Sequence, residues 1–395
     1  MNLPWLYVGR VSCISGYGEA ARHQLWALRK AGVRFRVQDV ASMEHIRGLA
    51  VSAGADGTGL DALITAAKAS DDGVGATVGT IIHLSPNCAV KHLEATPGPH
   101  VLVSVWETSR LPPGWARHCN RFDQVWCPTE WQRDVYRKSG VQEDKLRLVT
   151  FGLDPDHYPV EGPASFTEGG ASERFVFGSV FQWSERKCPR ALVGAYFQAF
   201  REAEDVVLAI KTYQGHSPKA SVQVMLDEIV DSYAFPPDVR RPPIEIVCGH
   251  LTRAEMLTFY RGMDCYVSTH RGEGWGLPLH EAMLLGKPVI ATDWSAPAEY
   301  LRDSTAAPVP GFYPVQHSLE PPHGMGEQPY YTVDQLWAAP SVQDCAVQMR
   351  KIYERRPGPA RPDPVAYHHL GRMVGRAGEQ ARECLAELLY YSEER

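Results

Sequence analysis

Short apolar runs rich in β-branched and aromatic residues recur along the chain, separated by longer stretches of mixed polarity. Runs of this kind are typical of buried strands, and the stretches between them are long enough for crossover helices. The runs fall at 5–8, 33–37, 79–83, 101–105, 122–127 and 146–150 in a first series, and at 175–181, 205–212, 243–249, 264–269 and 289–292 in a second. Two successive series of strands joined by helices predict two parallel α/β sheets.

The first stretch between runs carries a clear helix signal. Ala21, Leu25 and Leu28 are spaced for one face of a helix over 19–30, and Gly32 follows just past its end. A strand, a glycine loop, a helix and a second strand are the start of a Rossmann-like domain. We therefore predict an α/β protein built from two Rossmann-like domains.

The domain boundary is predicted from composition. Residues 160–172 are rich in Gly, Ser, Pro and Glu, as linkers are. We predict a first domain over 1–158, a second over 173–365 and a last helical segment over 366–395. The Pro-, Gly- and Tyr-rich stretch from 308 to 322, with the loop after it, is expected to be irregular.

Length and composition limit the class of protein. A chain of 395 residues suits two domains with separate cores, and its net charge of −6 disfavours a general nucleic-acid binder. Its nine cysteines include no Cys-x-x-Cys pair, which predicts reduced thiols rather than a disulfide framework or a zinc site. No run of about 18 uncharged apolar residues and no secretory leader is evident, so we expect a cytoplasmic protein without a transmembrane segment.

The most informative stretch is 271–292, which lies between two predicted strands. Three alternating glycines let its turn come close to a ligand, and Pro278 suits the first helical position because its missing N–H would be unpaired there. The free N–H groups at the start of such a helix form an anion site. Two carboxylates, Glu273 and Glu281, flank that site with seven residues between them.

The chemistry of this stretch predicts the ligand. The N–H groups at Gly276 and Leu277 would hold a phosphate, and a carboxylate beside a phosphate is better suited to accept hydrogen bonds from neutral hydroxyls. A phosphate with hydroxyl-bearing sugars at either side describes a nucleotide-sugar. The simpler alternative is an ordinary buried strand–helix–strand unit with Glu281 on a solvated helix face.

These residues also carry a family resemblance. The Glu-x7-Glu spacing of Glu273 and Glu281, followed by Gly-Lys-Pro-Val-Ile-Ala-Thr over 286–292, resembles the donor site of family-4 retaining glycosyltransferases of the GT-B fold. The resemblance is strong over 175–301 and looser over 1–150. It implies two domains facing across a cleft, a last helix that crosses back to the first domain, sugar transfer with retention of configuration, and no metal or other cofactor.

Arg186 and Lys187, before the first helix of the second domain, match the same family. Breaking a sugar–diphosphate bond leaves growing negative charge on the phosphate oxygens, and a fixed cation lowers that barrier. Lys187 is the first candidate for this cation and Arg186 the second. Ser179 stands where many family members carry another arginine, so one phosphate contact of the family has no counterpart there.

The resemblance reaches the first domain less specifically. Gly16 and Gly18 lie in the loop that touches the donor diphosphate in the family, although by themselves they fit a tight turn equally well. Glu107 stands where the family often has a histidine directed at the transferred sugar. It could orient the acceptor hydroxyl or stabilise positive charge at the anomeric carbon, or it could be a capping or loop carboxylate. The Asp154-Pro-Asp156 run is interpreted as a turn rather than a metal site.

The carboxyl ends of two other strands face the expected position of the base. They place Lys211 and Thr212 on one strand, and the segment from Gly249 to Leu251 after the next. Backbone groups usually read the base in such sites, so the identity of the nucleotide stays open.

The acceptor also stays open. A glycan, a lipid-linked sugar, a small metabolite and a hydroxylated DNA base all fit, because the basic first helix and the tryptophans at 106, 115, 126 and 131 suit anionic or aromatic partners, including a peripheral membrane surface. Two other function classes are a nucleotide-sugar epimerase or hydrolase on the same fold, and a non-catalytic scaffold.

Overall fold

The computed structural model describes residues 3–13, 15–40, 76–165, 174–200, 205–213, 219–233, 241–326, 328–356 and 361–393. The chain forms two compact units. One comprises Met1–His157 with Leu370–Arg395, and the other Tyr158–His369. Part of the predicted linker, 166–172, lies outside the described residues.

The first unit is built on a parallel sheet of six strands. In chain order these are β1 Trp5–Gly9, β2 Phe35–Asp39, β3 Thr80–His83, β4 His100–Val103, β5 Gln124–Cys127 and β6 Leu146–Leu148. They lie in the order β2-β1-β3-β4-β5-β6, with every neighbouring pair parallel. Strands β1, β3 and β5 are fully buried, as expected for a parallel sheet with helices on both faces, whereas the edge strand β2 is only partly buried.

Four described helices lie between these strands: α1 Gly16–Lys30, α2 Pro86–Ala89, α3 Trp115–Cys119 and α4 Glu130–Lys138. Ser15 caps α1 by accepting a hydrogen bond from the N–H of Gly18 at 3.2 Å. A Cβ on Gly18 would lie 1.9 Å from the carbonyl oxygen of Cys13, so only glycine fits there. At the end of this unit's sheet, Asp154 accepts a hydrogen bond from Trp26 Nε1 at 2.7 Å and pairs with Lys30.

The second unit repeats the architecture. Its sheet has strands β7 Phe175–Gln182, β8 Val206–Tyr213, β9 Ile244–Cys248, β10 Cys265–Ser268, β11 Val289–Thr292 and β12 Phe312–Val315, in the order β12-β11-β10-β7-β8-β9. All of its neighbouring pairs are parallel. Its helices are α5 Pro189–Ala199, α6 Lys219–Asp231, α7 Arg253–Gly262, α8 Leu277–Leu284, α9 Ser295–Tyr300, α10 Val342–Arg355 and α11 Pro364–Gly371.

The two faces of this sheet differ. Phe177, Leu208 and Ile210 pack on one face against residues of α5, α6 and α10 such as Leu192 and Met349. Because side chains alternate along a strand, the intervening residues of β7, β8 and β10 point to the opposite face. That second face packs against α7 and α8. The stretch 271–292, which carries the predicted donor site, lies at its edge.

Strand β12 and a two-stranded antiparallel hairpin both correct the expectation of an irregular stretch from 308 to 322. Strand β13, His317–Glu320, pairs with β14, Trp337–Pro340. The hydrogen bonds of this pairing hold the backbone as strands, although the Pro and Gly content of the stretch alone predicts a loop. The N–H of Ala338 donates to the carbonyl of Arg271 at 2.8 Å, and the Arg271 guanidinium lies 5.3 Å from the Trp337 ring.

The C-terminal segment contains two helices, where the sequence predicted one. Helix α11 ends at Gly371, and α12 spans Met373–Glu393 within the first unit. Helix α12 packs closely on α1, since a Cβ on Gly378 would lie 2.4 Å from the carbonyl oxygen of Ala27. Arg147, on β6, forms an ion pair with Glu387 at 2.6 Å. Among the described residues no helix combines the length and apolarity needed to cross a bilayer.

Candidate functional site

The glycine turn, residues 271–276, ends in a backbone conformation that only glycine adopts easily. Gly276 caps α8 with φ 82° and ψ 55°, and a Cβ there would lie 3.0 Å from Leu279 Cδ1 and 3.2 Å from Pro297 Cγ. Pro278 lies in the first turn, at the second helical position and not at the predicted first one. The N–H of Leu277, the first helical residue, has no acceptor within the helix, which leaves it directed outward.

Glu273 is buried in this turn between two cations. Its Oε1 pairs with Lys187 Nζ, and its Oε2 lies 3.5 Å from Arg186 Nη1. Its N–H donates to Ser295 Oγ at 2.9 Å, and Ser295 has the positive φ of 63°. Burial alone would raise the pKa of Glu273, but Lys187 and Arg186 outweigh it and lower that pKa to about 2. Glu273 is therefore a carboxylate at every physiological pH.

The two cations come from a 3-10 turn at Glu185–Lys187, between β7 and α5. Backbone contacts tie this turn to the glycine segment. Arg186 Nη1 donates to the carbonyl of Gly272 at 2.8 Å, and the N–H of Arg271 donates to the carbonyl of Arg186 at 2.8 Å. The turn that carries the cations and the turn that carries Glu273 therefore form one hydrogen-bonded structure.

Arg271 links these two turns to the β13–β14 hairpin through its guanidinium. Its guanidinium donates to Glu185 Oε1 at 2.8 Å and pairs with Glu320 on β13. Arg271 is buried, and its contacts join the 3-10 turn, the glycine turn and the hairpin. Such a second layer of hydrogen bonds holds the side chains of the two turns in fixed positions.

Glu281 is held by a separate network. Its Oε1 accepts hydrogen bonds from Tyr158 at 3.0 Å and from Arg253 at 2.9 Å, and its Oε2 accepts one from Tyr260 at 2.7 Å. The side chain is buried, so the alternative of a solvated helix face is wrong. A ribose hydroxyl on Glu281 would share oxygens that already accept these bonds, a constraint that the spacing of the two glutamates could not reveal.

His270 is a buried group that the sequence did not single out. It lies between β10 and the glycine turn and is fully buried, and neither ring nitrogen has a hydrogen-bond partner in the described part of the chain. Burial lowers the pKa of His270 to about 4, against an opposing contribution from Glu273. A neutral imidazole therefore stands beside the carboxylate and its two cations. The one sequence feature that could have pointed to His270 is its position directly before the glycine turn.

The residues predicted near the base lie at neighbouring strand ends. The N–H of Gly249 donates to the carbonyl of Thr212 at 3.1 Å, and Gly249 has φ 106°. The Thr212 side chain is buried, and its Oγ1 has no partner among the residues described. Leu251 is partly buried and directly precedes Thr252, whose side chain caps α7. Thr212 and Gly249 are thus joined through the backbone.

Gly16, Gly18 and Glu107 belong to the first unit, and the other nine predicted site residues belong to the second. Gly16 and Gly18 lie in the first turn of α1 and not in the predicted loop, because Ser15 caps the helix three residues earlier than expected. Glu107 follows the carboxyl end of β4 and is partly buried. It lies close enough to Tyr17 to add to the effect of burial, which raises the pKa of Tyr17 to about 12. Tyr17 also packs edge-on against His83, at the end of β3, with ring centroids 5.9 Å apart.

Part of the second unit is similar to a known protein family. Residues 238–313, which include Gly249, Glu273 and Glu281, match the family described as "Glycosyl transferases group 1". No curated protein sequence matches the chain.

Solved structures share the architecture at low sequence identity. HepE (Alr3699) of Anabaena, crystallised with UDP and glucose, is 16% identical with a TM-score of 0.66, and the match covers 98% of this chain and 100% of HepE. OtsA without ligand is 11% identical with a TM-score of 0.59 and coverages of 98% and 99%. The pneumococcal O-GlcNAc transferase GtfA, with UDP and GlcNAc, is 13% identical with a TM-score of 0.51 and coverages of 78% and 56%. The predicted fold class is confirmed: the chain has the GT-B fold of two Rossmann-like units, and its residues 238–313 are similar to the glycosyl transferases group 1 family.

Proposed function

We propose that the protein transfers a sugar from a nucleoside-diphosphate sugar to an acceptor hydroxyl, with retention of configuration at the anomeric carbon. The observation that carries this proposal is the convergence of Lys187, Arg186 and Glu273 on the glycine turn before α8. Two cations and a helix N-terminus suit a diphosphate, and a permanently charged carboxylate suits sugar hydroxyls. The structures of HepE with UDP and glucose and of GtfA with UDP and GlcNAc support the same class of donor.

The chemistry follows from where charge develops. The bond between the anomeric carbon and the diphosphate oxygen breaks, and negative charge grows on the departing phosphate. Lys187, Arg186 and the N–H of Leu277 stabilise that charge without rearranging, which is how fixed donors accelerate such steps. The acceptor oxygen attacks the oxocarbenium-like carbon from the same face, and its proton passes to the departing phosphate.

Glu273 has two roles in this scheme. Its pairing with Lys187 and its contact with Arg186 keep both cations at the turn, and its oxygens accept hydrogen bonds from hydroxyls of the transferred sugar. Lys187 has three donor positions, so it can contact Glu273 and a phosphate oxygen together. Because the chain itself supplies the cations, we propose that transfer needs no metal, and turnover unchanged by EDTA is the expected result.

We propose that the acceptor uses the first unit. Glu107 and Tyr17 stand near the carboxyl ends of its strands, where open α/β sheets bind ligands. Glu107 would orient the acceptor hydroxyl or stabilise positive charge at the anomeric carbon. A Glu107→Gln variant that keeps donor affinity and loses transfer would support this role, and unchanged transfer would exclude it.

The proposed function is tested in two steps. A melting-temperature screen with common nucleotide-sugars identifies the donor, because a ligand that binds only the folded state raises stability. The donor is then incubated with the protein without an acceptor and with candidate glycans, lipid-linked sugars, metabolites and hydroxymethylated DNA. Transfer to one acceptor class supports the proposal. Free nucleotide with inverted sugar stereochemistry and no acceptor would indicate an epimerase instead, and no binding to any donor would indicate a scaffold.

A further inference from the structure

Lys211 is a buried lysine whose contacts among the described residues include no carboxylate. It lies at the carboxyl end of β8 and is 6% exposed, with the Tyr213 ring and the Cys248 thiol as the neighbours of its ammonium. Buried lysines are almost always paired, because an uncompensated charge away from water costs free energy. Burial also lowers the pKa of Lys211 to about 8. The proposed mechanism, centred on Lys187 and Arg186, does not use this residue.

The surroundings of Lys211 suit a flat ligand. Its Nζ lies 5.2 Å from the centre of the Tyr213 ring, two residues along on the same face of the strand. Tyr213 in turn lies 5.6 Å from the ring of exposed His250. Gly249 follows β9, and no atom of the described residues lies within 4 Å of the place where its Cβ would be. Two rings and an ammonium thus border an open position at the ends of β8 and β9.

This position lies on the donor side of the sheet. Tyr266 OH donates to the carbonyl of Val180 at 3.2 Å, and Val180 is the register partner of Lys211. Tyr266 lies near both Glu273 and Glu281, whose charges contribute to its raised pKa after the larger effect of burial. Because β8 is two strands from β10, it lies about 10 Å across the sheet from the strand that leads into the glycine turn. A ribose with its attached phosphate spans such a gap.

Resting on the proposed nucleotide-sugar donor, we propose that Lys211 reads the edge of the nucleobase and selects one with a carbonyl oxygen at the pyrimidine 4-position or the purine 6-position. A lysine ammonium is only a donor of hydrogen bonds. Uracil and guanine present an acceptor at that position, whereas cytosine and adenine present an amino group that also donates. The oxo bases therefore give the buried ammonium the partner that the protein does not, and the amino bases leave it unpaired.

The experiment compares four nucleotides by calorimetry: UDP, GDP, CDP and ADP, with the wild type, Lys211→Met and Lys351→Met. Lys351 is the matched control, because it is an exposed lysine of the same unit that lies 5.8 Å from the Tyr313 ring. The wild type should bind UDP or GDP at least about tenfold more tightly than CDP and ADP, since a hydrogen bond to a charged group is worth roughly 10- to 100-fold. Lys211→Met should lose that preference by weakening only the oxo nucleotides, and Lys351→Met should keep it.

Several outcomes would overturn this inference and leave the proposed function standing. These are a wild type that prefers ADP or CDP, a Lys211→Met protein with unchanged selectivity, and a loss of affinity that is equal for all four nucleotides, which would place Lys211 on the phosphates. Removing an unpaired buried charge should not harm folding, and the wild-type ranking decides the question should that variant be insoluble. Failure of the wild type to bind any of the four would overturn the proposed function, and the inference with it.

Discussion

Replacing Lys187 by alanine removes the cation closest to Glu273. In the structure the Lys187 side chain is 13% exposed and its ammonium pairs with the Glu273 carboxylate, which is itself only 10% exposed. The 3-10 turn is held by other contacts, including the Arg186 side chain on the carbonyl of Gly272 and the backbone bond from Arg271. We therefore expect the variant to fold with the turn in place and to lose mainly chemistry.

The expected losses follow from the geometry. Removing one fixed group that stabilises developing charge costs about 2.7–4 kcal/mol, or roughly 10²- to 10³-fold in kcat. Arg186 remains 3.5 Å from Glu273, so we expect the lower end, about 10²-fold. For folding, Glu273 loses its nearest partner but keeps Arg186 and its backbone bond to Ser295. The free energy of unfolding should fall by about 1–3 kcal/mol, less than for a buried charge left entirely alone.

The assay measures nucleotide released from the donor that the melting screen identifies, with kcat and KM determined separately. Urea denaturation gives the free energy of unfolding of the same preparations. The matched control is Lys138→Ala, because Lys138 also pairs with a carboxylate, that of Asp134, but its side chain is 64% exposed. Exposed pairs contribute about 0–1 kcal/mol, so this variant should match the wild type in both measurements.

A kcat for Lys187→Ala within about threefold of the wild-type value would remove Lys187 from the mechanism. A raised KM with unchanged kcat would also contradict the proposed role, because it would mean that Lys187 holds the substrate and the transition state equally well.

Three further predictions concern the rest of the second unit. Glu281→Ala removes the acceptor of Tyr158, Tyr260 and Arg253, so the free energy of unfolding should fall by about 3–5 kcal/mol and nucleotide affinity with it, as urea denaturation and calorimetry would measure. Gly276→Ala should lower the free energy of unfolding by about 1–3 kcal/mol and weaken nucleotide binding, because it adds crowding to a positive φ. Gly114→Ala, at φ 81° with no described atom within 4 Å of the added Cβ, should strain the backbone without affecting binding. Since the folded pKa of Glu273 is depressed to about 2 from 4.5, its contribution to stability is present above pH 4.5 and lost as the pH falls towards 2. Glu273→Gln should flatten the dependence of unfolding free energy on pH in that window, and an unchanged acid limb would contradict the assignment.

Much of the fold follows from local sequence. The apolar runs at 264–269 and 289–292, with Pro278 between them, predicted the strand–turn–helix–strand unit, and the structure has β10, α8 and β11 there. These features were readable because they depend on neighbouring residues: strand propensity, a proline in the first helical turn and a glycine with positive φ. The hairpin of β13 and β14 was missed because antiparallel pairing across 16 intervening residues leaves no local signal.

The surroundings of the predicted site depend on residues far apart in the chain. The partners of Glu281 come from positions 158, 253 and 260, and its spacing from Glu273 carries no information about them. The burial of His270 and of Lys211 likewise arises from the packing of whole strands and helices. Sequence alone therefore predicted candidate groups such as Lys187 and Glu273, which the structure brings together, and the structure adds what holds each of them.

The most direct test is a crystal structure of the protein soaked with the nucleotide-sugar that raises its melting temperature most. The mechanism predicts the diphosphate at the N–H groups of Gly276 and Leu277, within hydrogen-bond distance of Lys187, with sugar hydroxyls on Glu273. A nucleotide bound elsewhere, or one whose diphosphate lies away from Lys187 and the start of α8, would contradict it.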